Sequence, residues 1–92
     1  MALKDIKHKG LRELFEDGQS RKISKQYHPN CLLILDHLDS VTDLKDCQGV
    51  KNFHPLKGDR QGHYSMHVSG NMCITFGWDG TDVTVLDFED YH

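Results

Sequence analysis

His63-Tyr64-Ser65-Met66-His67-Val68-Ser69-Gly70-Asn71-Met72-Cys73-Ile74-Thr75-Phe76-Gly77-Trp78-Asp79-Gly80-Thr81-Asp82-Val83-Thr84-Val85-Leu86 is the stretch that sets the architecture. His63, Ser65 and His67 alternate with Tyr64, Met66 and Val68, a period of two that suits a strand buried on one face. Ser69-Gly70-Asn71 then predicts a reversal, and Cys73-Ile74-Thr75-Phe76 a returning strand. Asp79-Gly80 is the stronger turn signal. Asp-Gly suits a hairpin in which both central residues need positive φ, and here it separates Ile74-Thr75-Phe76 from the β-branched run Val83-Thr84-Val85-Leu86. Strands that follow one another through short turns predict an antiparallel meander.

Upstream the period changes. Ile23, Tyr27, Cys31, Ile34, Leu35 and Leu38 recur at intervals of three and four, the signature of an amphipathic helix. Proline is tolerated in a first turn and breaks an interior, so Pro29 puts the start of this helix near His28 or Pro29, with Ser24 to Tyr27 as a separate turn. Asp39-Ser40 ends it. Leu11 to Glu16 predict a shorter helix, two turns at most, capped by Gly18, and Ala2 to His8 a first short strand. Thr42 to Cys47 read as one further helical turn capped by Thr42. Helices first and a meander afterwards give an α+β fold, N-terminal helices packed on a mainly antiparallel β-sheet. With 92 residues, one domain over 1–92 and one modest core are expected.

The apolar share is 37% and the charged share 27%, and no apolar run approaches the ~20 residues of a membrane span. Met1-Ala2-Leu3-Lys4-Asp5 leads into charge rather than into a signal or lipid anchor, so a soluble, cytoplasmic protein without membrane partners is expected. Cys31, Cys47 and Cys73 form no Cys-x-x-Cys, which argues against a disulfide framework or structural zinc. The net charge of −3 is unevenly spread: residues 1–28 carry +3 and residues 29–92 carry −6. The basic end reads either as a solvated helical face or as an RNA-facing one. On the second reading, Lys7, Lys9, Arg12, Arg21 and Lys22 contact RNA.

Two segments carry chemistry: Phe53-His54-Pro55-Leu56-Lys57-Gly58-Asp59-Arg60 and Asp90-Tyr91-His92. RNA cleavage without a metal needs a base for the 2′-hydroxyl, an acid for the departing 5′-oxygen and fixed positive charge at the phosphate. These side chains offer all three. Each also has a structural reading. His54 before Pro55 can simply end a strand, Lys57 before Gly58 can be a solvated turn lysine, and Arg60 can hold Asp59 or its loop. Tyr91 can bury its ring, or stack on a splayed base or donate to a phosphate. His92 is either a frayed end or a general acid or base, with Asp90 orienting it. His63 and His67 share a strand face, which raises a metal-binding alternative, but partners at ligand spacing are not evident, and no metal or cofactor is expected.

Ile6-Lys7-His8-Lys9-Gly10-Leu11, His54 to Arg60, Asn71 with Ile74-Thr75-Phe76, and Glu89-Asp90-Tyr91-His92 together make the chain resemble, nearly end to end, the HigB killer-protein family of the RelE-like superfamily. The resemblance implies a small RelE-like domain and a type II toxin that binds the ribosomal A site and cleaves translated messages. It also implies a HigA-like helix-turn-helix antitoxin as partner, with DNA contacted only through that antitoxin. His54, Lys57, Asp90, Tyr91 and His92 stand where that family keeps its active-site groups. One position departs: the family usually reads Asn-Trp-Arg-Ile where this chain reads Asn71-Met72-Cys73-Ile74. Cys73 thus replaces an arginine implied to clamp the phosphate, and a thiol lacks both the charge and the bidentate donors of guanidinium. Two expectations follow from it, a weakened ribosome-dependent nuclease with Arg60 as substitute clamp, or a catalytically silent antitoxin-binding relative acting as decoy or co-repressor.

Overall fold

The computed structural model of the protein describes residues 3–90. Two α-helices, α1 (Lys9–Asp17) and α2 (His28–Ser40), precede four strands, β1 (His54–Pro55), β2 (His63–Ser69), β3 (Met72–Trp78) and β4 (Val83–Asp90). The strands form one antiparallel sheet in the order β1-β2-β3-β4, the expected meander extended by a short edge strand.

Helix α1 begins at His8, whose imidazole Nδ1 accepts from the Gly10 and Leu11 amides, and ends at Gly18, whose φ of 79° supplies the left-handed cap that a side chain would resist. Its nine residues run slightly longer than the expected two turns. Helix α2 has Pro29 in its first turn and a separate 3-10 turn before it at Lys25–Tyr27, as the proline rule requires. The next turn, Leu44–Cys47, differs in its cap. Asp43, not Thr42, accepts the Lys45 amide, and Asp46 reaches back to the Asp43 amide. A carboxylate one residue later outcompetes the threonine, whose own amide and hydroxyl donate to Asp46.

Leu11, Leu14, Ile34, Leu35 and Leu38 from the helices meet Met66, Val68, Ile74, Phe76, Val83 and Leu86 from the sheet in one buried core. Each such side chain contributes about 1.5–3 kcal/mol of burial, so this layer holds the sheet to the helices. Trp78, at the end of β3, packs half-buried against the same core.

Two expected features take another form. Ala2, where the expected first strand begins, lies outside the described residues; among those described, the segment before α1 makes isolated parallel bridges, Leu3 with Val83 and Ile6 with Leu86, rather than a strand. The cause is a bulge in β4: pairing passes from Thr75–Asp87 to Gly77–Thr84, one residue too many on β4, and Val85 takes a φ of 43°. The Leu86 backbone there donates to the Asp5 carbonyl and accepts from the Lys7 and His8 amides, while its side chain stays in the core. The Asp79-Gly80 signal produces a four-residue connection rather than a two-residue hairpin turn. Only Gly80 has positive φ, and the Asp79 carboxylate instead accepts from the Thr81 and Asp82 amides, the side-chain turn that aspartate favours.

Candidate active site on the open face of the sheet

The alternation that sends Met66, Ile74 and Phe76 into the core sends Ser65, Cys73 and Thr75 to the other face. Cross-strand register arranges that face in rows. His54, Ser65, Thr75 and Asp87 form one, and His67, Cys73 and Glu89 the next.

His54 is aimed by its surroundings. Phe53 stacks on Tyr64 and Phe76 on the core side, with ring centroids 5.4 and 6.1 Å away, so the following residue points to the open face. The turn before it places Lys51 and Asn52 at φ of 48° and 56°, a left-handed pair held from three directions. The Lys51 carbonyl accepts from the His67 amide at 2.6 Å, the Lys51 ammonium donates to Asn30, and Asn30 donates to the Val68 carbonyl at 2.8 Å. In that frame, His54 Nδ1 lies 2.8 Å from the Asn52 carbonyl. A carbonyl only accepts, so Nδ1 carries a proton, and in the neutral ring the lone pair then belongs to Nε2, with Ser65 Oγ at 3.5 Å. The ring itself is exposed.

Across the same face lies a charged brace. Arg60, from the 3-10 turn Gly58–Arg60, donates through Nη1 and Nη2 to the two oxygens of Glu89 at 2.9 and 2.7 Å, and the Thr75 hydroxyl donates to Glu89 Oε2. The Arg60 bonds, with Thr75 adding, hold the Glu89 carboxyl down to about 2 against the opposing effect of burial. Glu89 is the cross-strand partner of Cys73, so the Arg60 guanidinium is one side chain removed from the position where the resemblance implies an arginine. Cys73 is buried; burial raises its thiol pKa, the Glu89 and Asp90 carboxylates add to this, and Ser65 opposes it. It is a neutral thiol near pH 7.

Lys57 is exposed, has no ion-pair partner among the described residues, and accepts the Arg60 amide through its carbonyl. Asp90 ends β4 opposite Met72. Tyr91 and His92 lie outside the described residues. The five basic N-terminal residues do not share one patch. Lys7 sits 3.8 Å from Asp87 beside the open face, Arg12 donates to the Ile6 carbonyl, and Lys22 pairs with Glu13 at 2.9 Å. Arg21 lines a separate hollow with Lys25 and His28, and Lys9 starts α1. Ser65, Thr75 and Glu89 were not singled out by sequence reasoning, although the polar phase of the meander contains the first two.

The profile of the family described as "RelE-like toxin of type II toxin-antitoxin system HigB" matches residues 4–92. Over 91 residues the chain is 37% identical to Endoribonuclease HigB of Proteus vulgaris, covering 98% of this chain and 99% of that protein. The chain belongs to the HigB-like toxins. The architecture agrees: the YoeB dimer structure from Staphylococcus aureus superposes with a TM-score of 0.63 over 100% of this chain and 99% of that one, at 15% identity, a likeness of fold. As a HigB-like toxin, the protein is one half of a type II toxin-antitoxin pair, and an antitoxin is its implied partner. No helix among the described residues is long and apolar enough to cross a membrane, and no three His, Cys, Asp or Glu side chains among them come together as a metal-holding group.

Proposed function

We propose that this HigB-like toxin is an endoribonuclease that cuts messenger RNA in the ribosomal A site through its own side chains, and that a HigA-like helix-turn-helix antitoxin restrains it. The observation that carries the reading is the placement of His54: an exposed ring whose Nδ1 is tied to the Asn52 carbonyl, so that Nε2 is the nitrogen left to act as base, in a member of a family whose curated relative is an endoribonuclease. A base so held takes the proton of a 2′-hydroxyl. The 2′-oxygen then bonds to phosphorus, the bond to the 5′-oxygen breaks, and that oxygen receives a proton from the acid end of the site. Lys57, Asp90, Tyr91 and His92 supply the acid, its orientation and a stacking or hydrogen-bonding surface. Arg60, presented by Glu89 and Thr75, stabilises charge on the non-bridging oxygens in place of the arginine that Cys73 replaces. Lys7, Lys9, Arg12, Arg21 and Lys22 contribute the ribosome-facing charge.

The neutral thiol at Cys73 favours the second reading, a silent relative that keeps only the antitoxin-binding surface. Programmed ribosomes incubated with purified protein, followed by mapping of message ends, separate the two. Cuts within codons that depend on ribosomes support the nuclease. Intact message beside tight antitoxin binding supports the silent relative.

A further inference from the structure

A cavity of about 330 Å³ opens at the β4 end of the same face, lined by Lys7, Arg60, His63, Val85, Asp87 and Glu89. Its volume lies at the lower end of the ~300–1,000 Å³ typical of small-molecule sites. Asp87 shares a row with His54 but lies three strands away, about 14 Å at the usual strand spacing.

Three features are those of a binding site rather than a surface dent. Gly77 adjoins two of the lining residues: a Cβ there would stand 2.7 Å from Thr84 Oγ1, 3.3 Å from a Val85 methyl and 3.4 Å from the His63 ring, so glycine lets the imidazole and the valine close together. His63 Nδ1 is buried and has no hydrogen-bond partner among the described residues, although buried polar atoms are normally paired. Val85, the residue strained by the bulge, is one of the few large apolar side chains left exposed, at 37%. The cavity thus has an apolar wall, an imidazole beside it and cations at its edge. Its carboxylates differ. Glu89 is occupied by Arg60 and Thr75, while Asp87 accepts the Phe88 amide through Oδ1 and its Oδ2 has, among the described residues, the 3.8 Å contact with Lys7.

We propose that this cavity is a nucleotide subsite flanking the cleavage site, taking one base of the RNA against Val85 beside the His63 ring and reading it with Asp87. Lys7 serves the adjoining phosphate. A carboxylate accepts from exocyclic amino groups, so adenine, cytosine and guanine are favoured and uracil, which has none, is disfavoured. The inference rests on the ribonuclease reading and adds the residues that set its base preference.

The test is titration of the protein with AMP, CMP, GMP, UMP and inorganic phosphate, followed through the NMR signals of the Val85 methyls and the His63 and His54 rings. Saturable shifts at Val85 and His63 are expected with the three amino-bearing nucleotides, about fivefold or more tighter than with UMP, and none at Val85 with inorganic phosphate. Asp87→Asn removes the preference against UMP, and His63→Ala weakens all four; either variant suffices if the other does not fold. Shifts at His54 alone overturn the subsite and leave the nuclease standing. No nucleotide shift anywhere, together with no cleavage of message on ribosomes, overturns both.

Discussion

The two sides of β3 differ in kind. Ile74 and Phe76 are fully buried among helix side chains, while Cys73, Thr75 and Gly77 between them face the ring of polar groups from β1, β2 and β4. One strand therefore carries stability on its even residues and the proposed chemistry on its odd ones. The division is physical: a residue change on one phase leaves the other phase's contacts in place, because successive side chains leave opposite faces.

Breaking the apolar phase has the largest expected effect. Phe76→Ala removes a fully buried ring from the core and from the Phe53 and Tyr64 stack, and lowers unfolding free energy by about 3–5 kcal/mol in denaturant titrations. His54→Ala attacks the other phase: cleavage of ribosome-bound message falls by roughly 10²–10⁴-fold. Because that ring is exposed, its loss shifts stability by no more than about 0.5 kcal/mol. Cys73→Arg sharpens the contrast from within, since it places a guanidinium beside Glu89 and Asp90. Single-turnover cleavage rises by up to ~10²-fold if Arg60 alone is an incomplete clamp, and an unchanged rate in the folded variant would make Arg60 sufficient.

Glu89→Gln gives the smallest effect, and its signature is a pH dependence. Glu89 has its folded pKa lowered to about 2 from an ordinary 4.5. The stability from its ionised form is therefore complete above the ordinary value and is lost as pH falls through that window toward 2. The wild-type protein loses this contribution in acid and the variant has none to lose, so their stabilities, separated by roughly 1–2 kcal/mol at pH 7, draw together below the ordinary value and meet only at about pH 2 in acid-unfolding curves.

Most of the architecture was legible because it rests on local rules. The period of two gave β2 and β3, the spacing of three and four with Pro29 gave α2, and Gly18 gave the end of α1. What was not legible depends on contacts between distant segments. The bulge at Val85 accompanies backbone bonds from Leu86 to Asp5, Lys7 and His8, some eighty positions away, and nothing in Val83-Thr84-Val85-Leu86 announces it. The site divides the same way. His54, Lys57 and Arg60 stand out as charged or titratable residues in a short segment. Thr75 and Glu89 gain their significance only when the sheet register brings them to Arg60, and a buried Ser65 looks from sequence like any strand serine.

The central claim is that the open face, led by His54, cuts RNA. Its most direct test is mapping the 5′ ends of messages incubated with wild-type or His54→Ala protein, with and without ribosomes. Cuts inside codons that require ribosomes and vanish in His54→Ala, with the variant's fold intact, are the predicted result. Equal cutting by the variant, or no cutting by folded wild-type protein, would contradict it.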